Sequence, residues 1–373
     1  MRILIAPDKF KGTLNAQEAG AAIAEGLQGH DLQVQPVADG GEGTVQVIAA
    51  ALEAIPVRTE VSDPLGRPVQ AEFALAGDVS GGGGIALLEM SSASGLGLLA
   101  EDERDPWHAS TLGSGELLVA ARDTGVDSVI IGIGGSATND GGAGLSQALG
   151  VRYLDEAGLD IDDIPARLLD ATQIFQDLSL DVPTITVACD VNNPLLGSNG
   201  ATAIYGAQKG ITEDEMSRHE LRMRHLANLV SDEFGIDCRD IPGAGAAGGL
   251  GFALMSFCDA QLRSGFDLVA EMTGLREAVE AADLVITGEG SIDAQSIMGK
   301  APAGVAAMAR KVGKPVVAFC GMLRDAETVS ACFDAVLPIV DEETTVEMAM
   351  KNPAISLKNK VARSRMMLEK WGS

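Results

Sequence analysis

Short apolar runs alternate with amphipathic patterns at both ends of the chain, a rhythm typical of parallel strands connected by helices. Residues 2–7 have the character of a strand, residues 15–29 the spacing of a helix, and residues 32–38 the character of a second strand. Asn15 followed three residues later by Glu18 fits the capping box that begins many helices. The C-terminal third continues the pattern with predicted strands at 283–287, 315–320 and 335–339 and predicted helices at 301–312 and 357–371.

The middle of the chain has a different pattern. Two alternating runs flank a Pro- and Gly-containing turn at 63–68, which predicts a hairpin. Further strands are predicted at 85–90, 128–132 and 184–189, and a charged helix at 213–234. We therefore predict an α/β fold of two domains, in which a Rossmann-like doubly wound parallel sheet is interrupted by an inserted mixed-sheet α/β domain. The predicted borders are 1–56 and 262–373 for the Rossmann-like domain and 57–261 for the insertion.

Composition narrows the class of protein. The 373 residues include 27 Lys plus Arg against 53 Asp plus Glu, a formal charge of −26, which argues against nucleic-acid binding. No stretch approaches the roughly 18 apolar residues of a membrane span. The start of the chain lacks the pattern of a signal peptide, and the 5 cysteines form no paired spacing. We expect a cytoplasmic protein without nucleic-acid or membrane partners, and the sequence leaves its oligomeric state open.

Three predicted strands lead into loops that combine carboxylates with glycines. The first loop contains Asp39, Gly40 and Gly41, the second contains Asp140, and the third contains Glu289. Glycines let backbone N–H groups approach phosphate, and a nearby carboxylate can hold the Mg²⁺ that screens phosphate charge. One such loop is weak evidence, because Asp or Asn beside Gly also makes ordinary tight turns. Three loops at strand ends favour a ligand site.

A basic loop follows the first strand. Asp8, Lys9 and Lys11 directly precede a helix, where two lysines in an acidic chain would make a local site for carboxylate or phosphate. An ordinary solvated loop is an equally good interpretation. Arg67 lies in the hairpin turn, where a surface role competes with anion binding.

Two further loops carry polar groups. Asp190 follows a strand and either accepts a proton from a substrate hydroxyl, holds metal, or makes an Asx turn before Pro194. Ser91 and Ser94 lie in a loop of small residues, and they either donate to a polar ligand or cap the local turn.

Two glycine patterns resemble dinucleotide fingerprints. Gly132 begins a G-x-G-x-x-A match, with Asp155 about twenty residues further on to contact a ribose. However, residues 139–142 continue the loop instead of opening a helix. The match that begins at Gly243 follows no convincing strand and favours a glycine-rich helix start. The histidines lack partner spacing and are interpreted as surface or capping residues: His30, His108, His219 and His225.

Several of these segments together resemble a known family. They are residues 6–12, 38–44, 63–67, 134–142, 189–195 and 287–293. In this order they are similar, over essentially the whole chain, to the bacterial glycerate kinase family of the type that makes 2-phosphoglycerate.

The resemblance implies an activity and an arrangement. It implies transfer of the γ-phosphoryl group of ATP to the 2-hydroxyl of glycerate, giving 2-phosphoglycerate and ADP, with Mg²⁺. It also implies two α/β domains, one inserted in the other, with the site in the cleft between them.

On that resemblance we assign roles to the polar residues. The expected catalytic residues are Lys9, Asp190 and Asp293; the substrate-binding residues Asp8, Lys11, Arg67, Ser91 and Ser94; the nucleotide-binding residues Gly40, Gly41, Gly134, Gly135 and Asp140; and the metal-binding residues Asp39 and Glu289. One alternative is an NAD(P)-dependent oxidoreductase of a small hydroxy acid, supported by the fingerprint at Gly132 alone. A non-catalytic binding protein for small anions is a second alternative, although such a protein would normally be exported.

Overall fold

The structure, a computed structural model, describes residues 1–79, 82–176, 182–293 and 300–372. The strands are β1 Arg2–Pro7, β2 Asp31–Val34, β3 Ile55–Ser62, β4 Pro68–Ala76, β5 Ile85–Glu89, β6 Ser128–Gly132, β7 Arg152–Leu154, β8 Gln173–Phe175, β9 Thr184–Ala188, β10 Gln261–Arg263, β11 Leu284–Ile292, β12 Val316–Leu323 and β13 Ala335–Pro338. The helices are α1 Ala16–Gly26, α2 Thr44–Ala51, α3 Ser91–Ser94, α4 Leu112–Arg122, α5 Ala143–Ala148, α6 Ile164–Arg167, α7 Ala201–Tyr205, α8 Met216–Phe234, α9 Leu250–Cys258, α10 Gly265–Thr273, α11 Leu275–Ala281, α12 Ala301–Lys311, α13 Ala326–Ser330, α14 Val346–Lys351 and α15 Pro353–Leu368.

The chain divides into two compact units. Unit 1 comprises Met1–Asp39, Gln46–Ala51 and Gly265–Ser373, and unit 2 comprises Gly40–Val45 and Leu52–Ser264. The domain borders inferred from the sequence stay a prediction. The α/β class with parallel and mixed sheets is confirmed.

Unit 1 contains a five-stranded sheet in the order β13-β12-β11-β1-β2, and all of its strand pairs are parallel. Alternate residues of β1 point to opposite faces, as the period of a strand requires. Ile3 and Ile5 pack with residues of α1 and α15, whereas Leu4 and Ala6 pack with residues of α10, α11 and α12. Helices therefore cover both faces of the sheet, which is the doubly wound arrangement predicted from the sequence.

Strand β2 ends earlier than predicted. The sequence predicted a strand through residue 38, but the strand ends at Val34. The backbone N–H groups of Gln35 and Val37 still donate to β1, over 2.8 and 2.9 Å. Pro36 lies between these two donors, so hydrogen bonds to β1 continue on both sides of it although the strand itself ends at Val34.

Unit 2 contains a six-stranded sheet in the order β10-β9-β6-β5-β4-β3. Strands β3, β4 and β5 pair antiparallel, and β5, β6, β9 and β10 pair parallel. The predicted hairpin and mixed sheet are both present. The carboxyl ends of β5, β6 and β9 consequently lie along one edge of this sheet.

Local capping is also as predicted at the start of α1. The Asn15 side chain accepts from the backbone N–H of Glu18, and the Glu18 carboxylate accepts from the backbone N–H of Asn15. Among the helices in the described ranges, none is long and apolar enough to cross a membrane.

Candidate functional site

Acidic residues lie near the carboxyl ends of the neighbouring strands β1 and β11 of unit 1. The strands are parallel neighbours with Pro7 opposite Gly288, so Asp8 and Glu289 follow paired positions. Asp8 is 3% exposed and Glu289 is 7% exposed. Both side chains therefore lie in a largely desolvated environment.

The pKa of Asp8 is raised by burial and by neighbouring carboxylates. It is raised to about 7, first by burial and then by the negative charge of Asp39, with a smaller contribution from Glu289. Lys9, whose backbone N–H donates to Asp8 Oδ1 over 2.6 Å, acts in the opposite direction. Asp8, Asp39 and Glu289 thus form an acidic cluster, and a cation beside it would relieve their repulsion.

The lysines of the basic loop lie beside the acidic cluster. A Cβ built on Gly290 would lie 3.0 Å from the backbone nitrogen of Lys11, so the absent side chain lets the loop approach β11 closely. Lys300, which precedes α12, places its Nζ 3.9 Å from Glu289 Oε2. Lys300 lies in no recognisable motif and was therefore not predicted from the sequence. Unit 1 therefore brings together lysines and carboxylates from several segments of the chain.

Asp293 follows the end of β11 and is partly buried. It borders residues 294–299, which lie outside the described ranges. Its predicted catalytic role stays a prediction.

In unit 2 the serine segment, which forms the short helix α3, and the glycine-rich loop pair with each other. The backbone N–H of Leu96 donates to the Gly135 carbonyl over 2.8 Å, and that of Ala137 donates to the Ser94 carbonyl over 2.9 Å. Gly95 and Ser136 form a β-bridge between them. These loops follow the neighbouring strands β5 and β6, so the sheet brings the predicted serines and glycines together.

A third loop, which contains Gly41 and Glu42, packs against the glycine-rich loop. A Cβ on Gly134 would lie 2.7 Å from the backbone nitrogen of Glu42 and 3.0 Å from the carbonyl carbon of Gly41. Glu89, at the end of β5, accepts from the backbone N–H of Val45 over 2.9 Å. This role of Glu89 was not predicted from the sequence, because its partner is distant along the chain. Gly40 and Gly41, like Gly134 and Gly135, therefore belong to this group of unit 2 loops.

The Asp140 carboxylate organises the glycine-rich loop. It is fully buried and accepts from Thr111 N at 2.9 Å, Thr111 Oγ1 at 2.7 Å, and the backbone N–H groups of Gly142 and Gly144 at 3.1 Å. Four donors occupy both oxygens. The predicted nucleotide contact of Asp140 stays a prediction, whereas its structural role is established by these hydrogen bonds.

Arg67 and Asp190 lie in two other loops of unit 2. Arg67 Nε lies 2.6 Å from Asp63 Oδ2, and its Nη1 lies 2.6 Å from Glu103 Oε1, so binding a substrate anion requires an exchange of these partners. Asp190 is exposed directly after β9, at the same sheet edge as the loop after β6. Their predicted roles stay predictions.

Lys209 is a further polar residue that sequence analysis missed, because a short 3₁₀ helix without a motif carries it. Its side chain is 1% exposed, and its Nζ donates to Ser136 Oγ and to the Thr138 carbonyl. Burial lowers the pKa of Lys209 to about 7. In its protonated form Lys209 places a buried positive charge beneath the glycine-rich loop.

The interpretation of His219 as a surface or capping residue is wrong. Its side chain is fully buried, and its ring lies 4.2 Å from that of Trp107. Burial lowers the pKa of His219 to about 4. The helical position of His219 gave no sign of burial because its apolar partner lies in a different segment of the chain.

The dinucleotide fingerprint at Gly132 lacks its required context. Helix α5 begins at Ala143, after the loop, and not at the glycines themselves. Asp155 makes a local turn, accepting from the backbone N–H groups of Ala157 and Leu159. The segment that begins at Gly243 directly precedes α9, as interpreted from the sequence.

Parallel strands with glycine-rich loops and buried charged groups at their carboxyl ends define the protein as an α/β enzyme of the kind that places its chemistry on loops. A family model described as the glycerate kinase family matches residues 3–368. The chain therefore belongs to the glycerate kinase family, and the resemblance inferred from its motifs is confirmed.

Curated relatives and a solved structure agree. The chain is 43% identical to a glycerate kinase from Halalkalibacterium halodurans, over 99% of this chain and 98% of the relative. It is 42% identical to the glycerate 2-kinase of Escherichia coli K12, over 94% and 93% respectively. A crystal structure of a glycerate kinase 2 candidate from Salmonella typhimurium LT2 has a TM-score of 0.86 and 41% identity, covering 99% of this chain and 98% of that one.

Proposed function

We propose that this enzyme transfers the γ-phosphoryl group of ATP to the 2-hydroxyl of glycerate, giving 2-phosphoglycerate and ADP. Its similarity to the glycerate 2-kinase of Escherichia coli supports the substrate and the position of transfer. The observation that carries the proposal is the acidic cluster beside the basic loop in unit 1, where burial, and then the charges of Asp39 and Glu289, raise the pKa of Asp8. Phosphoryl transfer needs such opposed charges, because it depends on metal, phosphate and acceptor being held in line.

Mg²⁺ fits the acidic cluster by the chemistry of its donors. Hard carboxylate oxygens suit this ion, and Mg²⁺ commonly takes one or two carboxylates while phosphates and waters complete its shell. In the described ranges, no group of three or more His, Cys, Asp or Glu side chains is arranged to hold a metal by itself. We assign the ion to Asp39 and Glu289 with ligand oxygens. When bound, it would supply neutralisation of phosphate charge.

Residues of the chain itself would bind the reactants and orient the acceptor hydroxyl. Lys9 and Lys11 offer positive charge to the anionic groups of the reactants, and Asp8 lies beside Lys9. The glycines of unit 2 offer backbone donors to the nucleotide. Asp190 or Asp293 would orient or deprotonate the attacking hydroxyl. In a loose transition state this base contributes less than alignment and charge neutralisation.

The remaining assignments concern substrate contacts and partners. Ser91, Ser94 and Arg67 would contact the acid substrate. A cytoplasmic location and the absence of a nucleic-acid partner stay predictions.

One coupled assay tests the proposal. Enzyme, Mg-ATP and D-glycerate are combined, and the product is passed to enolase with or without phosphoglycerate mutase. We expect 2-phosphoglycerate to react directly. A signal that requires the mutase would show phosphorylation at the 3-hydroxyl, and reduction of NAD or NADP by glycerate would favour the oxidoreductase instead.

A further inference from the structure

The Lys209 side chain is fixed beneath the glycine-rich loop of unit 2. Its Nζ lies 2.7 Å from Ser136 Oγ and 2.6 Å from the Thr138 carbonyl oxygen. A Cβ on Gly248 would lie 2.9 Å from this Nζ and 2.0 Å from the Thr138 oxygen. Gly248 therefore leaves the space that Lys209 and the Thr138 carbonyl occupy, and the amine has one defined position.

This hydrogen bond sets the direction in which Ser136 can donate. An ammonium group has donors and no acceptor, so the Ser136 oxygen accepts from Lys209 and its own proton must be directed elsewhere. Burial lowers the pKa of Lys209 to about 7, and the nearby charge of Asp140 acts in the opposite direction. A bound anion nearby would favour the ammonium form further.

The Ser136 hydroxyl has no protein acceptor among the residues that the structure describes. The residue is 6% exposed and follows the exposed Gly135, which has a φ of +74°. Its backbone is held by the bridge to Gly95. A rigid, nearly buried hydroxyl whose proton has no acceptor in the described part of the chain is suited to donate to a ligand.

We propose that Ser136 donates a hydrogen bond to a phosphate oxygen of the nucleotide, and that Lys209 is the positioning residue that orients its hydroxyl. The inference rests on the proposed function, which supplies the nucleotide. It adds to that function a specific donor, Ser136, which lies in the 134–142 segment but had no predicted role, and the buried residue that orients it, Lys209, which lies outside every predicted motif.

The test compares Ser136→Ala, Lys209→Met and the double variant. Binding of Mg-ADP is measured by calorimetry, and KM is measured for ATP and for glycerate. Because a hydrogen bond to a charged group is lost, Ser136→Ala should weaken ADP binding and raise the KM for ATP about tenfold or more. The KM for glycerate should stay within about twofold of its original value, since the donor contacts the nucleotide alone.

Lys209→Met should act in the same direction, and the double variant should bind ADP no more than about twofold more weakly than Ser136→Ala, because Lys209 acts through the serine. Ser256→Ala is the matched control: Ser256 is equally buried in unit 2, at 6% exposed, and lies on α9. This control should leave ADP binding unchanged. Thermal unfolding identifies any variant that fails to fold, and Ser136→Ala, which removes one oxygen, decides the proposal alone if Lys209→Met does not fold.

Three results would overturn the inference: unchanged ADP binding in Ser136→Ala, a rise in the KM for glycerate only, or additive effects in the double variant. A wild-type enzyme that does not phosphorylate glycerate would instead contradict the proposed function. That result is obtained before any variant is made.

Discussion

The backbone N–H of Asp8 donates to the carbonyl of Gly288 over 2.8 Å, which extends the pairing of β1 and β11 one residue beyond the end of β1. This bond holds Asp8 beside the residue that precedes Glu289. Strand pairing therefore places Asp8 beside Glu289, while burial and the charge of Asp39 are the larger causes of the raised pKa of Asp8.

Asp8→Asn should change how stability depends on pH. The folded protein raises the pKa of this carboxyl from 3.8 to about 7. Between these values the folded state binds more protons than the unfolded state, so Asp8 makes the free energy of unfolding fall as pH rises from about 4 to about 7. At pH 8 the variant should be more stable by about 2–4 kcal/mol, measured by urea unfolding across this range.

The exposed Asp214 provides the control for that experiment. Asp214→Asn should keep the wild-type dependence on pH. Equal pH profiles for wild type and Asp8→Asn would show that burial and neighbouring charge do not raise the pKa of this carboxyl.

Lys9→Ala should lower turnover by about 10²-fold or more while the fold stays intact, because positive charge preorganised near a phosphoryl group stabilises the transition state. Steady-state kinetics and circular dichroism measure the two properties. Lys358→Ala removes a lysine that pairs with Glu25 on the surface of unit 1, and it should leave turnover unchanged. Near-normal turnover in Lys9→Ala would remove Lys9 from the catalytic residues.

Asp140→Ala should destabilise the protein by about 3–5 kcal/mol, because it leaves several buried donors without an acceptor. Thr111→Val, which removes only the hydroxyl donor at 2.7 Å, should cost about 1–2 kcal/mol. Denaturant unfolding compares them. A stable Asp140→Ala protein with weakened ATP binding would assign Asp140 to the ligand and not to the loop.

Gly134→Ala should disturb the group of loops in unit 2. Its new methyl group would lie 2.7 Å from the backbone nitrogen of Glu42, and relief of that overlap should cost about 1–3 kcal/mol and raise the KM for ATP. Gly97→Ala is the matched control in the neighbouring loop, where a Cβ meets nothing within 4 Å. If both variants behave alike in unfolding and kinetics, close packing at Gly134 has no functional importance.

Local signals predicted much of the fold. The capping box at Asn15 and the strand at β6 were placed correctly, because each depends on residues near in sequence. The end of β2 was misplaced because apolar character continues past Pro36, whereas the strand ends at Val34 although Gln35 and Val37 still donate to β1. Family motifs singled out Asp39 and Glu289, which the structure places in the acidic cluster around Asp8, and their metal-binding roles stay predictions.

Sequence by itself determined the element types, the class of fold and the family, because periodicity, caps and motifs each depend on residues that are close together in the chain. Tertiary structure alone decided that Lys209 meets Ser136, 73 residues away, and that Glu89 meets the backbone of Val45, 44 residues away. It also decided the burial of His219. Such contacts depend on which segments the folded chain brings together, and burial then sets the strength and direction of each hydrogen bond and charge.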